Sequence, residues 1–250
     1  MKLLPSWLKN FFIHWLPNAV LVAGVVVLIQ ANLELLAAAL ILVSKWQILR
    51  GGRKLWLRNL RDNACDLVVA ASSLTLLMLL VNDLVVQLVV AGLYLLWLIA
   101  IKPLTGHVGV AVQAAVCQFV GLTVLFLLGR TLPQAAVIGL AWLVALVAAD
   151  HLLAAHHERA HAILMLGWAL IVAQASWLFW HWLIVYSFWH NRLLLPQAPI
   201  VISLAGYIFG NMYLDHSQSK LRKSRLVEYV VLFFGLAAAI IIGTQWDTRL

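Results

Sequence analysis

Charge is scarce in this chain: Asp, Glu, Lys and Arg make up 10% of its 250 residues, against 64% hydrophobic ones. A single water-soluble core of this length cannot hide that much apolar surface, so the expected solvent is a lipid bilayer. Cysteine is nearly absent. Cys65 and Cys117 both lie within apolar runs, which leaves no disulfide framework and no CxxC metal or redox motif. The chain also has no GxxxxGK[ST] phosphate loop, no GxSG serine, no paired-carboxylate motif and no glycine-rich nucleotide turn. Nucleotide-driven work would therefore need a partner subunit. A further scarcity is charge in the middle of the apolar runs, where Asp, Glu, Lys or Arg would mark an ion or proton path. Asp66, Asp150, Asp215 and Glu228 fall at run ends and Asp83 in a turn. The polar residues at depth are neutral, among them Ser72, Ser73, Thr75, Gln118, Thr123, Gln174, Ser203 and Asn211, and are suited to joining helices by hydrogen bonds.

What is present is a series of apolar runs near the ~20 residues that a membrane-crossing helix requires. They predict an all-α polytopic membrane bundle, one transmembrane domain over residues 1–250 with about nine spans, at 11–30, 31–49, 65–81, 84–101, 110–129, 134–154, 162–184, 197–214 and 229–246. The first run has no convincing small-x-small cleavage site and reads as an uncleaved span, bent at Pro17 and Asn18. The second begins after a tight turn at Ala31 and Asn32, with Lys45 placed to snorkel to the interface.

The formal net charge of +8 sits in short connecting segments, so it is expected to set topology and not to bind nucleic acid. Placing Lys2, Lys9, the segment after Leu49, Lys102, Arg159 and residues 220–225 in the cytoplasm leaves Arg130, Arg192 and Arg249 outside. The N-terminus is then cytoplasmic and the C-terminus outside, in a bacterial cytoplasmic membrane. The segment 50–61 has five basic residues in twelve. It reads equally as a basic loop or as an interfacial amphipathic helix, with Lys54, Arg58 and Arg61 on one face and Trp56 and Leu60 on another. With Arg53, and with Lys220, Arg222, Lys223 and Arg225 further on, these residues are the candidate contacts for anionic headgroups or a protein partner. Trp177, Phe179, Trp180, Trp182, Tyr186, Phe188 and Trp189 form an expected aromatic belt at the outer end of the seventh span. Small residues four apart, as at Ala141, Ala145 and Ala149 and at Gly206 and Gly210, form ridges for close helix packing.

One stretch carries a chemical pattern. Residues 150–161 hold four of the nine histidines, and His157-Glu158-Arg159-Ala160-His161 spells HExxH, in which two histidines one turn apart bind zinc and the glutamate activates water. If the helix continued past Asp150, that carboxylate would share a face with His157 and His161 but lie about 10 Å along the axis. A third ligand would come from Asp215, His216, His107 or Asp66. The string resembles the motif of site-2-type intramembrane metalloproteases, whose later-span Asp would correspond to Asp215. Two positions depart from it: Arg159 puts charge where that family has none, and His216 replaces the glycine that follows the Asp. The other reading of the same stretch is a solvated inner loop that helps to hold topology.

The strings Arg61-Asp62-Asn63-Ala64-Cys65-Asp66-Leu67-Val68-Val69, Leu93 to Pro103, Gly109 to Thr123 and Tyr213-Leu214-Asp215 resemble multi-pass membrane proteins of Saccharibacteria. The resemblance implies a membrane fold and supplies no activity. Three functional expectations follow: a non-enzymatic scaffold or assembly component of the cell envelope, needing no cofactor; a zinc-dependent membrane hydrolase with Glu158 as base and His157, His161 and Asp215 as ligands; and a permease for a small neutral or lipid-like solute. A continuous polar cavity reaching the midplane would favour the last, and a solidly packed bundle would exclude it.

Overall fold

A computed structural model describes residues 15–46, 53–129, 131–156, 158, 160–182, 184–188, 193–217 and 223–243. The protein is all-α, with ten α-helices among the described residues and one short β-hairpin. Its compact packing falls into two units, residues 1–105 and 106–250.

In the first unit, α1 (Leu16–Gln30) and α2 (Glu34–Ser44) are joined by a turn in which Asn32 takes the left-handed conformation, φ 58°, that asparagine tolerates better than most residues. Pro17 lies in the first turn of α1, a position that tolerates its missing N–H. The short helix α3 (Arg53–Asp62) leads into α4 (Ala64–Leu79). Asp83 then caps α5 (Leu84–Leu96) by accepting from Val86 N at 3.2 Å. The last turn widens into a π-helix over Trp97–Ile101, with Lys102 N bonded to Trp97 O, before Pro103 ends the run. Val25, Ile29, Ala37, Val69, Leu77 and Val86 form the packed interior of this unit.

The second unit contains α6 (His107–Leu128), α7 (Gln134–Ala155), α8 (His161–His181), a hairpin of β1 (Val185–Phe188) and β2 (Leu193–Pro196), α9 (Gln197–Ser217) and α10 (Lys223–Gly243). Gly106, at φ 93°, makes the turn into α6 that a side chain would strain. Helix α7 packs against both α6 and α8, and α9 packs against α6. The core comprises Leu122, Leu125, Phe126, Val137, Ala141, Ala145, Ala169, Val172, Ala198 and Ile202. The small-residue ridges act as expected: Ala141, Ala145 and Ala149 are buried, and a Cβ on Gly206 would stand 2.8 Å from the Trp168 ring. The hairpin replaces part of the expected aromatic loop, pairing Tyr186 with Leu195 and Phe188 with Leu193.

Four helical segments, Leu84–Ile101, His107–Leu128, Gln134–Ala155 and His161–His181, are long and apolar enough to cross a membrane. Large apolar side chains stand open on many helices, including Leu35, Leu42, Ile163 and Phe234. A water-soluble protein would bury surface of this kind, whereas lipid solvates it.

Candidate functional site

The densest polar cluster of the first unit is built on Asp66, in the opening turn of α4. Its Oδ2 accepts from Lys45 Nζ at 2.6 Å and Lys102 Nζ at 2.9 Å, and its Oδ1 accepts from Trp97 Nε1 at 3.1 Å. An α-helical turn would set Trp97 and Lys102 about 140° apart. The π-turn brings both onto the carboxylate. Lys45 is buried and does not snorkel, because a carboxylate on the neighbouring helix satisfies it better than the interface would. At the other end of α4, the fully buried Gln87 donates to Leu77 O at 2.9 Å and accepts from Gln30 Nε2 at 2.7 Å. Both sets tie helices together through groups that satisfy one another.

The histidine-rich stretch lies in the second unit. The chain does not stay helical past Asp150 to His161: α7 ends at Ala155, His156 folds its Nδ1 onto Leu152 O at 2.8 Å, and α8 starts at His161. This reversal removes the expected 10 Å separation and places His161 Nε2 2.6 Å from Asp150 Oδ1. His151 Nε2 lies 2.9 Å from Gln113 Oε1, and the rings of His107 and His156 stack at 4.5 Å. Glu158 lies beside the Tyr213 hydroxyl, and Asp215 accepts a hydrogen bond from the Tyr229 hydroxyl at 3.0 Å. His157 lies outside the described residues. Among the described residues, no three His, Cys, Asp or Glu side chains gather as a set able to hold a metal ion. The structure therefore brings His161 to Asp150, while Glu158 and Asp215 each meet a tyrosine.

Of the candidate lipid or partner contacts, Arg58, Arg61 and Lys223 are exposed. The side chains of Arg53, Lys54 and Arg225 are not described, and Lys220 and Arg222 lie outside the described residues.

Sequence reading did not locate the main feature of this unit, a cavity of about 420 Å³ between α6, α7, α8 and α9. Its volume falls within the ~300–1,000 Å³ typical of small-molecule sites. The void exists because its walls are built from small residues: Ala111, Ala114, Ala115, Ala148 and Gly167, where an added Cβ would meet nothing within 4 Å. Its polar side is formed by Gln118, which donates to Ile202 O at 3.1 Å and accepts from Trp168 Nε1 at 2.8 Å, and by Ser203. The Ser203 hydroxyl is buried without a hydrogen-bond partner. Tyr94 and Ser176 have similarly unpartnered hydroxyls, but neither lines this cavity. The alanine spacing was visible as a packing ridge; which of its faces stays unfilled depends on tertiary geometry.

No family model, curated protein or solved structure matches this chain.

Proposed function

We propose that this protein is a multi-pass protein of the bacterial cytoplasmic membrane, with about nine spans, that holds an apolar, lipid-like solute within its second unit. The observation that carries this reading is the cavity bounded by α6 to α9. Its walls are almost entirely aliphatic and aromatic, so a molecule leaving water or lipid for it must be largely apolar. Ile163, Ile171 and Phe209 border it and are themselves exposed, which gives it a rim suited to hydrocarbon. The absence of charge among the described lining residues favours a neutral solute.

The test is equilibrium binding of a fluorescent single-chain acyl probe to the full chain in detergent. Saturable binding displaced by the unlabelled compound is expected; uptake that only rises linearly, as into an empty micelle, would refute the reading. Topology has its own test: alkaline phosphatase fused after Leu250 should be active, and a fluorescent cytoplasmic-type fusion at the same point would overturn the outside C-terminus.

A scaffold role remains a second reading, supported by helix α3, where Arg58, Arg61 and Trp56 are exposed. Such a helix fits an anionic membrane surface or an acidic partner. Zinc hydrolysis would rest on His157 and His161 with Glu158 as base. Zinc at stoichiometric level in the purified protein, lost in His157→Ala, is the result it requires.

A further inference from the structure

Among the described residues with buried, unpartnered hydroxyls, Tyr94, Ser176 and Ser203, only Ser203 lines the cavity. Thr75, Thr123 and Asn211 turn back onto the carbonyl one helical turn earlier, those of Ala71, Phe119 and Tyr207. That is the usual refuge of a hydroxyl or amide in an apolar helix. Ser203 does not do this. It is 6% exposed, it lines the cavity, and its Oγ is buried without a hydrogen-bond partner, so one O–H donor in the cavity wall is left unsatisfied. Its neighbour Gln118 is already engaged with Ile202 and Trp168.

Three properties of the site narrow what would satisfy that donor. The volume of about 420 Å³ suits one chain and not a whole two-chain phospholipid. The described lining carries no charged residue, so an ionised headgroup inside would be left unpaired. From Ser203 to Tyr213, both of which line the cavity, ten residues of α9 run about 15 Å, long enough for an extended chain and too long for a compact solute.

Building on the solute-binding reading above, we infer that the ligand is a neutral single-chain molecule bearing a carbonyl or ester oxygen. That oxygen accepts from Ser203 Oγ, and the chain lies along α9 towards Tyr213. The molecule enters sideways from the hydrocarbon layer past Ile163, Ile171 and Phe209.

The test uses the full chain in nanodiscs and a diazirine-bearing long-chain fatty acid methyl ester as photolabel, with the unlabelled methyl ester and an alkane of equal length as competitors. In the wild type the ester should compete about 5- to 10-fold better than the alkane, the ratio that one net hydrogen bond supplies. Ser203→Ala should bring the two competitors together, and Ser203→Thr, which keeps the donor, should restore the difference. Gly167→Leu, which fills the void, should lower labelling by both ester and alkane analogues about tenfold or more. If that variant does not elute as folded protein, Ala115→Leu from another wall is read in its place. Equal competition in the wild type, or an ester preference that survives Ser203→Ala, overturns the acceptor assignment and leaves the cavity reading standing. Labelling that does not saturate, or that folded cavity-filled variants retain in full, overturns both.

Discussion

In residues 1–105 the carboxylate of Asp66 is held by two ammonium groups and an indole, and Gln87 is held by Gln30 and Leu77; in residues 106–250 Ser203 carries a buried donor beside an unfilled space. Both regions put polar atoms among apolar helices, where an unmet hydrogen bond is expensive. The difference between these sites lies in closure, and it is a contrast of sites and not of whole units, since Tyr94 in the first unit and Ser176 in the second also bury hydroxyls without a partner and border no such space. Where each polar atom finds another within the chain, the cluster acts as a staple between helices. Where a donor is left over next to a void, the missing partner has to come from outside.

That contrast is open to direct attack, beginning with its strongest element. Asp66→Ala strands Lys45 in the interior, and breaking a buried pair in this way costs about 3–5 kcal/mol. We expect the low end of that range, because Lys102 is half-exposed and screened by solvent. Lys102→Ala should cost under about 1 kcal/mol for the same reason. Thermal unfolding in detergent measures both, and equal tolerance of the two variants would mean that Asp66 is no staple. Gly206→Ala drives a Cβ against the Trp168 ring, which also hydrogen-bonds Gln118, and should cost about 1–3 kcal/mol by overpacking. A shift in Trp168 emission should accompany it; unchanged emission and stability would show that the polar side of the cavity is looser than described. Gln87→Ala removes the partner of Gln30 from a fully buried position and should cost about 1 kcal/mol. The smallest effect is expected at Gly167, where Ala meets open space: Gly167→Ala should change stability by no more than about 1 kcal/mol, in the stabilising direction. A clear loss at that site would mean the void is already filled by protein.

Much of this contrast was hidden from the sequence for a physical reason. Hydropathy and spacing report on local structure, and the helical segments Ala64–Leu79, Leu84–Ile101, His107–Leu128, Gln134–Ala155 and His161–His181 follow apolar runs closely, because in lipid a helix is how such a run satisfies its own backbone. The ridge at Ala141, Ala145 and Ala149 was likewise readable as a packing surface. Contacts across a chain reversal were not. Asp150 appeared separated from the nearer histidine of the pair by about 10 Å of helix and from His161 by more, and a break after Ala155 brings Asp150 and His161 to 2.6 Å. Lys45 looked like a snorkelling residue because its partner is 21 positions away on another helix. The hairpin at 185–196 was masked by an aromatic content that fits an interfacial loop equally well. The cavity left no sequence trace, since alanines that leave a void and alanines that close one are spelled alike. HExxH is a clear string whose described residues have neighbours the string does not show: His161 meets Asp150 and Asp215 meets Tyr229, while His157 lies outside the described residues.

The central claim is that the second unit holds one single-chain neutral molecule taken from the membrane. Native mass spectrometry of the full chain, released gently from its own membrane alongside Gly167→Leu prepared in the same way, tests it most directly. The account predicts a discrete adduct of single-chain-lipid mass on the wild type that is missing from the variant. The same adduct profile on both proteins, or two-chain phospholipids alone on the wild type, would contradict it.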